Sequence, residues 1–290
     1  MIKLLALDLD GTLLNSQGTI SEENIKAIRN AEDHGVLVTI ASGRRFRDAR
    51  PVALEIGLNA PVICHNGALI KYAETLETVD VTVIPAQTTR DIIFAGKEFG
   101  GEALVSIDPH GKGTLLYETI SEDNIPLQRY VVWSKKLHGD EAEEAVHHVT
   151  SLADLIDEIE VVHISYSGNC STMNILQENL DTSLEGSASI MATIYPHLDF
   201  TLLDILPPNT SKATAIRKLA EMNGLSSANV MVIGDNFNDL DMLEYAGLPV
   251  VMGNADASLL QREEFYTTLG NDENGVAAAI NKYILGDING

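Results

Sequence analysis

Apolar residues gather in short runs along this chain, and turn-forming or charged residues stand at the ends of those runs. Residues 2–7 form an apolar run with one lysine, which reads as a buried β-strand. Ser21-Glu22-Glu23-Asn24 opens a helix reaching about His34, with Ser21 as N-cap and Gly35 as its stop. Residues 36–41 read as a second buried strand, 46–56 as a helix stopped by Gly57, and 61–65 as a third short strand. This alternation predicts a parallel sheet with right-handed crossovers. From about Val79 the pattern changes. Residues 79–84 alternate as a strand, 87–99 read as a helix, and 103–107 and 114–118 as two strands around a Pro-Gly-rich turn. A strand–helix–strand pattern follows over 161–194, while 119–160 reads as helix and loop. The first pattern then returns, with strands at 200–205, 230–233 and 249–252 and helices starting near Ser211, Asp239 and Gly275. The expected fold is α/β: a Rossmann-like doubly wound parallel-sheet core built from 1–83 and 201–290, with an α+β cap domain inserted at 84–200.

The length of 290 residues agrees with two domains. A net charge of -23 makes nucleic acid and anionic membrane surfaces poor partners. It also means that an anionic substrate must be met by local cations. No run of about 20 apolar residues is present to span a bilayer. The two cysteines, Cys64 and Cys170, have neither disulfide-framework nor metal-ligand spacing, so a reducing cytoplasm is expected. Oligomeric state is not readable from these patterns.

The chemistry lies at the carboxyl ends of the buried runs, where open α/β sheets bind ligands. The first run ends in Asp8-Leu9-Asp10-Gly11-Thr12. In extended chain, residues two apart point to the same side. Two carboxylates about 4 Å apart repel by about 4 kcal/mol at an effective dielectric near 20. A cation or a shared proton relieves that cost, so the pair reads as a Mg2+ site with one carboxylate available as nucleophile. The alternative is a solvated Asp-Gly turn. Ser42-Gly43-Arg44 ends the second run and Asn66-Gly67 the third. Taken singly, Ser42 also reads as a helix N-cap, Asn66-Gly67 as a tight turn, and Arg44 as a surface charge. Asp235 and Asp239 read as helix N-terminal charges, and Lys212 as a solvated first-turn lysine, although that position opposes the helix dipole. Taken together at strand ends and helix starts, they read as one site.

In this order the motifs resemble the haloacid dehalogenase (HAD) superfamily, in its Cof-type branch (subclass IIB) with a large α/β cap. The resemblance rests on Asp8-x-Asp10-Gly11-Thr12, Ile40-Ala41-Ser42-Gly43-Arg44, Asn66-Gly67-Ala68, Lys212 and Gly234-Asp235-Asn236-x-Asn238-Asp239-x-x-Met242-Leu243. Met252-Gly253-Asn254-Ala255 and Asn274-Gly275-Val276-Ala277 add to it. It covers both core segments; the insertion matches in position and size only. Ala213 replaces a frequent glycine, and Gln261-Arg262-Glu263-Glu264 replaces a common Lys-Ala pattern.

The resemblance implies a Mg2+-dependent phosphatase acting on small phosphomonoesters, sugar phosphates above all, with the cap as a lid that reads the leaving group. Asp8 would be the nucleophile, forming an aspartyl-phosphate, and Asp10 the general acid and base. Ser42 and Lys212 would stabilise the phosphoryl group. Ser42, Gly43, Arg44, Asn66, Lys212 and Asn238 would contact the substrate. Asp8, the main-chain carbonyl of Asp10, and Asp235 would hold Mg2+, with Asp239 supporting the metal or orienting Lys212. A phosphomutase using the same intermediate, and a non-catalytic sugar-phosphate-binding regulator, are the alternatives.

Overall fold

A computed structural model of the chain describes residues 1–286. The first segment runs β1 (Leu4–Leu7), α1 (Glu22–Asp33), β2 (Leu37–Ile40), α2 (Phe46–Ile56), β3 (Val62–Cys64), β4 (Leu69–Lys71) and β5 (Thr78–Val81). The middle of the chain holds α3 (Ala86–Glu98), β6 (Ala103–Ile107), β7 (Thr114–Tyr117), α4 (Ile125–His138), α5 (Ala142–Ala145) and β8 (Val146–His148). It continues through β9 (Val161–Gly168), α6 (Cys170–Leu184), β10 (Ser189–Tyr195) and β11 (Phe200–Leu206). The last segment runs α7 (Lys212–Met222), β12 (Val230–Gly234), α8 (Leu240–Tyr245), β13 (Leu248–Val251), α9 (Ala257–Leu260), β14 (Tyr266–Thr267) and α10 (Gly275–Ile280).

The chain divides into two compact units. The first comprises Met1–Arg44, Ala49–Val79 and the chain from Ser211 onward. Its main sheet is parallel throughout, in the order β14-β13-β12-β1-β2. All four residues of β1 are fully buried, as expected of a central strand covered on both faces. Burying each leucine stabilises the unit by about 1.5–3 kcal/mol. A parallel bridge from Ala41 to Ile63 leads on to a small sheet, β3-β4-β5. The register puts the strand ends level: Leu7 lies opposite both Ile40 and Ile233. Asp8, Ala41 and Gly234 therefore emerge at the same edge.

The second unit comprises Arg45–Asp48 and Asp80–Thr210. Its six-stranded sheet has the order β10-β11-β9-β6-β7-β8 and is antiparallel except for the β7–β8 pair. An apolar cluster including Ile92, Val105, Ile164, Leu176 and Leu203 packs helices α3 and α6 on this sheet. The structure moves one element across the expected boundary. β11 pairs with β9 and β10, so this unit extends to Thr210 and the first resumes at Ser211, not at 201. The cause is visible in its residues: Thr201, Leu203 and Ile205 are buried and alternate with half-buried neighbours. That period of two belongs to a strand with one covered face, unlike the continuously buried β1. Segment 119–160, expected as helix and loop, contributes α4, α5 and the edge strand β8.

Candidate active site

The strand ends of the first unit assemble the site. Asp8 follows β1, and its backbone N–H donates to the Ile233 carbonyl at 3.0 Å. Its side chain is 5% exposed. Lys212, the first residue of α7, donates from Nζ to Asp8 Oδ1 and to Asp239 Oδ1, both at 2.6 Å. Lys212 and Asp239 are buried as well. The reading of Lys212 as a solvated lysine is thereby overturned. Two features deliver it. Ser211 caps α7, its Oγ accepting from the Thr214 N–H, so the helix starts at Lys212 itself. Gly67, at φ +105°, lets the 65–67 turn approach, since a Cβ there would stand 2.1 Å from the Ser211 carbonyl oxygen.

Asp239 is fixed from both sides. Its Oδ2 accepts the backbone N–H groups of Asp235 and Asn236, while Oδ1 faces Lys212. Asp235 is half-buried and accepts a hydrogen bond from Thr12 Oγ1 at 2.7 Å. Gly11, at φ +84°, passes so close to Asp235 that a Cβ would lie 2.3 Å from its Oδ2. The contribution of Thr12 and the glycine approach were not assigned from sequence, although both residues sit inside the first motif. Asn254 also joins this wall, donating to the Gly11 carbonyl at 2.9 Å.

Carboxylate oxygens of Asp8, Asp235 and Asp239 lie within 4.8 Å of one another. Burial pushes the Asp8 carboxyl well above its ordinary value; Asp239 and Asp235 add to this, and Lys212 opposes it. Burial likewise pushes Asp235 up to about 6, against the hydrogen bond from Thr12. Burial pulls Lys212 down, but the charges of Asp239 and Asp8 outweigh it and raise it above the usual lysine value. Three carboxylates thus share one ammonium in a poorly solvated space. An all-oxygen donor set with excess negative charge fits a hard divalent cation such as Mg2+.

Asp10 stands outside this cluster. The β1 strand stops at Leu7 and Leu9 lies in a turn, so the extended alternation that would align Asp8 with Asp10 is broken. The Asp10 carboxylate instead takes two hydrogen bonds from Arg44, from Nε at 2.8 Å and Nη2 at 2.6 Å. The mutual repulsion expected from spacing alone is met by two cations, Lys212 serving Asp8 and Arg44 serving Asp10.

The 42–44 and 65–67 loops are stitched together. Ser42 N–H donates to the Ile63 carbonyl, Asn66 N–H to the Ser42 carbonyl and His65 N–H to the Arg44 carbonyl. Ser42 Oγ accepts from the Arg44 N–H at 3.1 Å, which leaves its hydroxyl hydrogen able to donate. Asn66 takes a left-handed backbone, φ +50°, and is 3% exposed. Among the described residues none donates to its buried Oδ1. A Cβ on Gly43 would stand 3.0 Å from that oxygen. Asn238 lies half-buried in the turn between Asn236 and Asp239.

An aspartate at a strand end, a buried lysine from a later helix and two aspartates beyond the strand that follows it thus meet in one place. A profile of the haloacid dehalogenase-like hydrolases matches residues 5–280, and the chain belongs to that family. It is an enzyme of the phosphatase class. It is 29% identical to 5-amino-6-(5-phospho-D-ribitylamino)uracil phosphatase YwtE of Bacillus subtilis (strain 168), over 98% of this chain and 99% of that protein. Identity to the pyridoxal phosphate phosphatase YbhA of Escherichia coli (strain K12) is 28%, over 90% of this chain and 91% of that protein. A crystal structure of a haloacid dehalogenase-like hydrolase from Bacteroides thetaiotaomicron superposes with a TM-score of 0.80 at 26% identity, covering 97% of this chain and 99% of that one. Among the described residues no helix is long and apolar enough to cross a membrane.

Proposed function

We propose that this chain is a Mg2+-dependent phosphatase that hydrolyses small phosphomonoesters, sugar phosphates among them, through an aspartyl-phosphate. The observation that carries this reading is the buried Asp8 held by Lys212, with Asp235 and Asp239 beside it. Asp8, the Asp10 main-chain carbonyl and Asp235 would hold Mg2+, and Asp239 would orient Lys212. Bound there, Mg2+ supplies charge neutralisation for the phosphoryl oxygens and for the carboxylates.

Asp8 attacks phosphorus, the bond from phosphorus to the leaving oxygen breaks, and Asp10, having first taken a proton from solvent, gives it to that oxygen. Water then attacks the aspartyl-phosphate, Asp10 takes its proton, and inorganic phosphate leaves with Asp8 restored. Lys212 holds Asp8 in place and stabilises the charge that develops on the phosphoryl group. The Ser42 hydroxyl and the Asn66 amide offer polar contacts to the substrate, and Gly43 keeps the loop open beside Asn66; we assign Arg44 and Asn238 to the same role. The second unit is assigned to reading the leaving group, because it is inserted between the segments that carry the site loops. The two named phosphatase relatives act on small phosphorylated compounds, which is the substrate class taken here.

The test is phosphate release from a panel of sugar phosphates, nucleotides, flavin mononucleotide and pyridoxal phosphate, with and without Mg2+. We expect selective release by the wild type, loss with EDTA, recovery with Mg2+, and no release by Asp8→Asn. Isomerised product with a bisphosphate primer would make the protein a phosphomutase. Tight ligand binding without turnover would make it a binding regulator.

A further inference from the structure

Arg44 and Asp10 form a two-pronged ion pair in which both carboxylate oxygens accept from the guanidinium. Their side chains are 23% and 60% exposed, so the pair lies at the solvent edge of the site while Asp8 and Lys212 are buried. The Arg44 backbone is pinned, its N–H donating to Ser42 Oγ and its carbonyl accepting from the His65 N–H. The arginine thus comes from the same short loop that presents Ser42 and Gly43. Two consequences follow. A group that serves a leaving oxygen must turn one of its own oxygens toward it, and Asp10 has both engaged. Solvent reaches the Asp10 side of this pair, and the guanidinium fork that holds it fits a phosphate or carboxylate of a ligand as well as it fits Asp10.

We propose that Arg44 is a substrate-operated latch on Asp10. An oxyanion of the bound substrate takes the two N–H donors, two hydrogen bonds to Asp10 break as two to the substrate form, and Asp10 is released toward the leaving oxygen. This rests on the phosphatase reading above and adds regulation to the same site: the acid–base group becomes available only when an anion occupies the loop. The oxyanion is either the transferring phosphoryl group or an acidic group on the leaving portion. Arg44 in this scheme touches the substrate and, by letting go of Asp10, also controls when Asp10 can act.

The test is calorimetric titration of the full chain, in Mg2+, with inorganic phosphate and with phosphonoacetate, which carries a carboxylate and is not hydrolysed. Wild type, Asp10→Asn, Arg44→Ala and the double variant form a cycle. Arg44→Lys, which keeps the charge without the fork, replaces Arg44→Ala if melting curves show that the latter is unfolded. Asp10→Asn should tighten binding about fivefold by removing the competing carboxylate, and that gain should vanish without Arg44. A gain with phosphate makes the phosphoryl group the opener. A gain with phosphonoacetate alone makes it the acidic leaving portion. An equal gain with and without Arg44 is plain charge repulsion and overturns the latch, as does no gain with either probe. In turnover of an alkyl phosphate, Arg44→Ala should raise KM and leave kcat well above that of Asp10→Asn. A fall of kcat to the Asp10→Asn level would show Arg44 holding Asp10 in its working pose, again against the latch. The expected binding cycle without phosphate release from any ester would refute the phosphatase reading, leaving only the exchange of Asp10 for an anion at Arg44.

Discussion

Lys212 balances three carboxylates from the interior of the first unit, and its removal leaves Asp8 and Asp239 facing each other without a cation. Breaking a buried ion pair from one side costs about 3–5 kcal/mol. Lys212→Met is therefore expected to lower the unfolding free energy by about that amount, measured by denaturant titration, and to abolish phosphate release. Gly11 tests the metal wall separately. Its φ of +84° and the 2.3 Å approach of a Cβ to Asp235 Oδ2 leave no room for a side chain. Gly11→Ala should cost about 1–3 kcal/mol of backbone strain and raise the Mg2+ needed for half-maximal phosphate release. If the half-maximal Mg2+ concentration is unchanged, Asp235 does not hold the metal.

At the scale of elements, the start of α2 is anchored within the second unit by a buried polar network. Asp48 accepts two hydrogen bonds from Arg45, one from Tyr130 and one involving His138 Nε2. Arg45 also reaches Ser134 Oγ on α4. Burial opposes ionisation of Asp48, but His138 and Arg45 overcome it and hold the carboxyl at about 2, below the ordinary 3.8. A carboxyl depressed in the folded state contributes stability that is present above pH 3.8 and lost as pH falls toward about 2. The shift amounts to about 2 kcal/mol. Acid unfolding should show that loss in the wild type. Asp48→Asn should be less stable by about 3 kcal/mol at pH 7 and show less further loss over the acid window, because its penalty is already taken. An unchanged acid profile in Asp48→Asn would show that this network is not what acid disrupts.

On the scale of the whole molecule, a net charge of -23 makes cation binding favourable and self-repulsion large. The candidate metal site concentrates that property. Asp235, pushed up to about 6 by burial, keeps a proton in the folded chain that the unfolded chain gives up near 3.8. Stability without metal therefore falls as pH rises through that window, and a bound cation returns it. Below about pH 6, Mg2+ must displace the proton. The increase in Tm on adding Mg2+ should be larger at pH 7.5 than at pH 5. An equal increase at both would exclude Asp235 as a ligand.

The longer strands and helices and their caps were legible in the sequence because their signals are local, whereas the short β4, β8, α9 and β14 carry too few residues to show a period. Continuous burial marked β1 and β12, Ser21 and Ser211 marked helix starts, and the Asp8, Ser42, Asn66 and Asp235 motifs fell at the strand ends where the parallel register brings chain together. Tertiary structure decided the partnerships. Lys212 reaches Asp8 across 204 positions, the Asp10 carboxylate pairs with Arg44 while Asp8 pairs with Lys212, and β11 joins the antiparallel sheet. Periodicity reports that a residue is buried or that a strand has one covered face. It does not report which distant group shares that space, because the choice is made by long-range packing and by where each charge finds its least costly counter-charge.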